Sequence, residues 1–106
     1  MKNILSILFL ASNLFAIDSS SFNFLLKKEV KVKNLFYDKN FKKLVVLVND
    51  DGTNRNGYAE YIALLLHDKG FRVQDVNVIY IKDAKIPKTL IQQGEGKVLG
   101  KTRMIN

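Results

Sequence analysis

Lys43 to Val48 reads Lys-Leu-Val-Val-Leu-Val, a run of leucine and β-branched residues with no polar residue after its first position. Because polar and apolar residues do not alternate, neither face of such a strand is meant for water. The run predicts a central strand covered on both sides. Asn49 to Asn56 follows it, dense in Asn, Asp, Gly and Thr, whose short side chains bond the local backbone; this must be a loop. A helix is expected from Gly57 to Lys69. Asn56 or Gly57 would cap it, Tyr58, Ile62, Leu65 and Leu66 would form its apolar stripe, and Gly70 would close it after a basic last turn. Phe71 to Ile81 reads as the next strand, with a bulge or kink at Gln74-Asp75 where the alternation slips by one. Strand, helix and strand over Lys43 to Ile81 are long enough for a crossover between parallel neighbours.

Alternation from Val30 to Tyr37 predicts a strand, and Asp38-Lys39-Asn40 a turn joining it to Lys43–Val48 as a hairpin. Ile17 to Asn23, with three consecutive serines, reads as a flexible lead-in, and Phe22 to Lys28 as a helical turn or a strand. Beyond Pro87, Gly94 and Gly96, alternation from Val98 to Ile105 predicts a last strand at the sheet edge, where its Lys and Arg discourage pairing with other molecules. The expected fold is a small α/β (α+β) two-layer sandwich: a mixed sheet of three to five strands with one main helix, 57–69. If Phe22–Lys28 does not cover the second face of Lys43–Val48, that face needs a partner chain or a homodimer.

Ahead of this domain, Met1-Lys2-Asn3 and the apolar run from Ile4 to Phe15 have the pattern of a secretory signal peptide, with Ala16 suited to the cleavage position. Residues 1–16 are therefore read as leader and 17–106 as one domain. The apolar run is shorter than the roughly 20 residues that a membrane span needs, so a periplasmic or secreted protein without a permanent anchor is expected. The chain has no cysteine, which excludes disulfides, thiolate metal ligands and thiol nucleophiles.

Asn49–Gly57 joins the carboxyl end of a central strand to a helix N-terminus, the place where open α/β sheets bind ligands. Asp50 and Asp51 could hold a divalent cation, and Asn54, Arg55 and Asn56 could contribute to a ligand. Asn49-Asp50-Asp51-Gly52, with Gly57 five residues on, resembles the opening motif of the stationary-phase survival nucleotidases, metal-dependent phosphatases of nucleoside monophosphates. The resemblance implies a metal on Asp50 and Asp51. It spans nine residues, places Arg55-Asn56 where the family has Ala-Pro, and finds no counterpart of the polar residues that complete the family's metal site.

The formal net charge is +7, from 17 Lys and Arg against 10 Asp and Glu, which predicts attraction to polyanions. Lys27, Lys28, Lys31, Lys33, Lys42 and Lys43, with Lys39, crowd around the predicted hairpin, interleaved with Phe22, Phe24, Phe36, Tyr37 and Phe41. A patch built of lysine without arginine suits diffuse attraction rather than bidentate recognition, so sequence-specific nucleic-acid reading is not expected. His67, the single histidine, falls in the last helical turn, where the helix dipole favours positive charge. The function expected from the sequence is that of a non-catalytic binding or accessory protein of the periplasm or envelope, without a cofactor, recognising an acidic polymer or protein partner. The alternative is a small metal-dependent hydrolase using Asp50 and Asp51.

Overall fold

The computed structural model describes residues 17–106, so the leader expected over 1–16 lies outside the described residues. Four strands, β1 (Asn34–Asp38), β2 (Lys43–Val48), β3 (Val78–Asp83) and β4 (Val98–Arg103), form one sheet in the order β1-β2-β3-β4. The central pair β2–β3 is parallel and the outer pairs are antiparallel. With its helices on the sheet, the chain is the mixed, two-layer α/β fold that the sequence predicts.

β2 has the bounds read from its composition, and Leu44 to Val48 are all buried. Its parallel pairing with β3 follows from the intervening helix α2 (Asn56–Asp68), whose buried face is Ala59, Ile62, Ala63 and Leu66. That face packs on Leu44, Val46, Val48, Ile79 and Ile81 to make the main core. α2 starts and ends one residue earlier than expected, and its N-cap is Arg55 rather than Asn56 or Gly57. The Arg55 carbonyl accepts the first ladder bond, from Ala59 N–H at 2.9 Å. Asn54 Oδ1 accepts the Asn56 N–H at 2.8 Å, so the capping side chain lies one residue before the helix boundary. Gly70 closes the helix at φ 103°, where any side chain would be strained.

Two predicted strands begin later than their alternation implies. β1 starts at Asn34, not Val30, because Val32 N–H bonds Glu29 O at 3.1 Å in the turn that follows the short helix α1 (Phe24–Lys28). β3 starts at Val78, not Phe71: Asp75 N–H bonds Arg72 O and Arg72 N–H bonds Asp75 Oδ2, both at 2.9 Å. The slip at Gln74-Asp75 is therefore a closed turn ahead of the strand, and the bulge of this sheet lies between Ile81 and Lys82, against β4.

The expected flexible lead-in is structured. Ser19–Phe22 forms a 3₁₀ turn that runs into α1, and Phe22 is fully buried, its ring 4.8 Å from Phe71 and 5.0 Å from Tyr37. This segment joins the helix side of the sheet. The opposite face of β2 is covered instead by the chain after β3, where Ala84 and Ile86 precede α3 (Lys88–Gln92), whose Ile91 packs with Val45 and Leu47. The premise that this face would need a second chain is thereby removed.

Both sheet edges are blunted by local bonds. The outward N–H groups of Leu35 and Tyr37 on β1 donate to Asn34 Oδ1 at 2.8 Å and Ser19 Oγ at 3.0 Å. On β4, Leu99 O accepts the Arg55 N–H at 2.8 Å and Lys101 N–H donates to Asn56 Oδ1 at 3.0 Å. The helix start can approach so closely because the residue between them is Gly100; a Cβ there would lie 2.1 Å from the Arg55 carbonyl carbon.

Candidate functional site

The Asn49–Asn56 loop, singled out as the ligand site, is largely occupied with itself. Asp50 Oδ1 accepts the Gly52 N–H at 2.9 Å, while Lys97 approaches Oδ2 at 3.5 Å. Asp51 Oδ1 accepts from both the N–H and the hydroxyl of Thr53, and its Oδ2 lies 3.3 Å from the Arg55 guanidinium. The Gly52 amide, helped by Lys97, holds the Asp50 carboxyl below the usual carboxylate range, and the Thr53 hydroxyl and amide, with Arg55, do the same for Asp51. Asn54 caps α2, Asn56 binds the β4 edge, and the Arg55 side chain donates from Nη2 to Asn49 O at 3.0 Å. A hard cation takes six or more oxygens. Among the described residues, however, no group of three His, Asp or Glu side chains is gathered anywhere.

These bonds have a pH signature. A carboxyl whose folded pKa lies below its unfolded value contributes stability that is fully present above the unfolded pKa and is lost as pH falls through the folded one. The wild-type urea midpoint is therefore expected to fall as pH drops below about 4, the ordinary carboxylate pKa. The variant Asp50→Asn/Asp51→Asn keeps the turn acceptors without the charge, so its midpoint should fall less steeply. Equal slopes in the two proteins would show that the loop carboxylates are not held by the bonds described.

The lysines do not form one patch. Lys27 and Lys28 end α1. Lys31 and Lys33 precede β1 beside the Asn49–Arg55 loop, and Lys31 Nζ is 5.8 Å from the Tyr58 ring centroid. Lys39, Lys42 and Lys43 lie at the other end of the β1–β2 hairpin, a strand length of about 17 Å away, where Asp38 Oδ1 accepts the Asn40 N–H and Lys42 takes a positive φ of 53°. Phe22 and Tyr37 are core residues, whereas Phe41 is exposed. His67 stays in the last turn of α2, and its carbonyl accepts from Arg72.

The open half of the second sheet face was not anticipated. There the register sets Tyr80 beside Lys101, with Lys43, Val78 and Arg103 in the next row, while Val45 on the other side of Tyr80 is covered by Ile91. Lys43 Nζ stands 5.4 Å from the Tyr80 ring centroid and Lys82 Nζ 5.9 Å, a cation–π arrangement. Lys82 is only 4% exposed and donates to Gly94 O and Glu95 O at 3.3 and 3.0 Å, so its charge is used to fix the α3 side. Burial pushes its pKa down from the ordinary lysine value. A shallow cleft of about 440 Å³ opens beside Tyr80, lined by Asn77, Val78, Lys101, Thr102 and Arg103. The period of two in Val78–Tyr80–Lys82 and Lys101–Arg103 could have shown that these residues share a face within each strand. Only the pairing of β2 and β4 with β3 brings the three strands' residues together.

Comparison with family models, with curated proteins and with solved structures finds no match to this chain. The likeness of Asn49–Gly57 to the nucleotidase motif therefore rests on those nine residues alone. Among the described residues, no helix is long and apolar enough to cross a membrane.

Proposed function

We propose that this chain is a small exported binding protein without catalytic activity, which holds an acidic polymer or acidic protein partner in the periplasm or outside the cell. The observation that carries this reading is the open sheet face around Tyr80. Lys43, Lys101 and Arg103 stand together there, whereas the ion pairs among the described residues, Arg55–Asp51 and Lys97–Asp50, lie elsewhere. Of the acids nearby, Asp38 stands opposite Lys43 with its Oδ1 turned into the hairpin turn, and Glu95 lies near Lys82. Unpaired cations on a flat, rigid surface with an aromatic floor attract a polyanion along its length rather than at one group. The lysine hairpin of the sequence reading contributes Lys42 and Lys43 to this end of the molecule; the remaining lysines add long-range attraction.

The test is titration with polyglutamate at several ionic strengths. Affinity should fall steeply between about 50 and 200 mM salt. The variant Lys43→Gln/Lys101→Gln/Arg103→Gln should bind at least about tenfold more weakly and show a shallower salt dependence, because each lost cation removes counterion release. Affinity indifferent to salt, or unchanged in the triple variant, would overturn the proposal.

A further inference from the structure

At the opposite end of the sheet from Lys43, the carboxyl end of β2 opens into a second cleft of about 320 Å³, lined by Val30, Lys31, Lys33, Val48, Asn49, Asp51 and Arg55. Three cations face one carboxylate there, and that carboxylate is already paired with Arg55 at 3.3 Å. Lys31 and Arg55 are both held toward the Tyr58 ring, at 5.8 and 6.0 Å from its centroid. Arg55 is 9% exposed, and although its Nη2 is used by Asn49 O, its Nε has no acceptor among the described residues. An unanswered donor on a buried guanidinium is costly, and a ligand oxygen reached by a small rotation of the side chain would remove that cost. The start of α2, whose 13 residues begin at Asn56, adds its partial positive charge to the same side.

We infer that this cleft binds a tetrahedral dianion, phosphate or sulfate, free or as the end group of an ester. The charge balance selects the class. Counted over the lining residues, three cations less one paired carboxylate leave an excess that a dianion neutralises and a monoanion does not; Glu29, outside the lining, accepts from the Tyr61 hydroxyl. Arg55 supplies its unanswered Nε–H to one oxygen, while Lys31 and Lys33 close on the others as point charges. Val30, 87% exposed and without a packing role in the fold, stands at the cleft, where the carbon part of an ester would rest. The inference does not depend on the Tyr80 face.

The experiment titrates the protein with inorganic phosphate, sulfate, a small phosphate ester and, as the monoanion control, acetate, following backbone amide and arginine Nε–H signals by NMR. Saturable binding of phosphate or sulfate below about 10 mM is expected, with the Arg55 Nε–H signal shifting downfield and acetate binding at least tenfold more weakly. If the ester binds as well as the free ion, the cleft takes end groups; if it does not bind, the free ion is the ligand, and either result keeps the dianion site. Lys31→Gln/Lys33→Gln, two exposed positions, should weaken dianion binding at least tenfold, whereas Lys43→Gln/Lys101→Gln/Arg103→Gln should leave it unchanged. A still Arg55 Nε–H signal, acetate binding as well as phosphate, or equal losses in the two variants would overturn the inference, the last because it would reduce binding to net charge. None of these outcomes bears on polyglutamate binding at the other end of the sheet.

Discussion

Gly100→Ala should cost about 3 kcal/mol or more and bring the domain close to the limit of folding. The added Cβ would lie 2.1 Å from the Arg55 carbonyl carbon, 2.4 Å from its oxygen and 2.5 Å from the Asn56 nitrogen, all of them backbone atoms. Rotating a side chain cannot relieve such a contact, so α2 must lift from the sheet. Lifting it stretches the bonds from Arg55 N–H to Leu99 O and from Lys101 N–H to Asn56 Oδ1, each worth about 1 kcal/mol. Gly57→Ala is the matched control. Its Cβ meets nothing within 4 Å, and alanine in a first helical turn should be neutral or stabilising by up to about 1 kcal/mol. Urea midpoints of the two variants should move in opposite directions or by very different amounts. A Gly100→Ala midpoint equal to that of the wild type would mean that helix and strand are not in backbone contact.

The second large effect is expected at Phe22, where alanine should cost about 3 to 5 kcal/mol, the range for emptying a buried aromatic site. The ring is fully buried between Phe71 and Tyr37, and the Tyr37 hydroxyl is itself tied to the Asp75 carbonyl. Losing Phe22 therefore loosens the 3₁₀ turn, the Arg72–Asp75 turn and β1 together. Thermal and urea unfolding should both shift, and proteolysis of the native protein should begin near residues 17–28. A variant as stable and as protease-resistant as the wild type would show that the segment is an ornament to the fold. Loss of Ser19 would remove the acceptor of the Tyr37 N–H as well.

Such dependence on Phe22 was not legible in the sequence, because a phenylalanine after three serines carries no periodicity to mark it as core. The Lys43–Val48 strand was legible, since an unbroken β-branched run is a sufficient signal by itself, and so was the helix, whose stripe and closing glycine agree. Phe71 and Val73 imitated the start of a strand. Their alternation belongs to a turn, whose geometry is set by the Arg72–Asp75 bonds and not by hydrophobic period. At the candidate sites, local chemistry was readable and placement was not. The Asx-rich stretch was rightly seen to bond its own backbone, but Asn56 bonds a strand 45 residues further on. Lysines close in sequence fell at both ends of a hairpin, while Tyr80, Lys101 and Arg103, which lie in separate stretches of the chain, were brought together by strand pairing alone.

The blunted edges of the sheet also restrict how this molecule meets others. An incoming strand would have to displace Ser19 and Asn34 on one side, or the Arg55 amide and the Asn56 side chain on the other, before it found a free amide or carbonyl at those positions. Growth by strand addition, the common route to fibres and to captured extended peptides, is thus obstructed where β1 and β4 are clamped. Association is left to side chains, and so to charge and shape, so that a crowded population of these molecules would meet without zipping to one another at those positions.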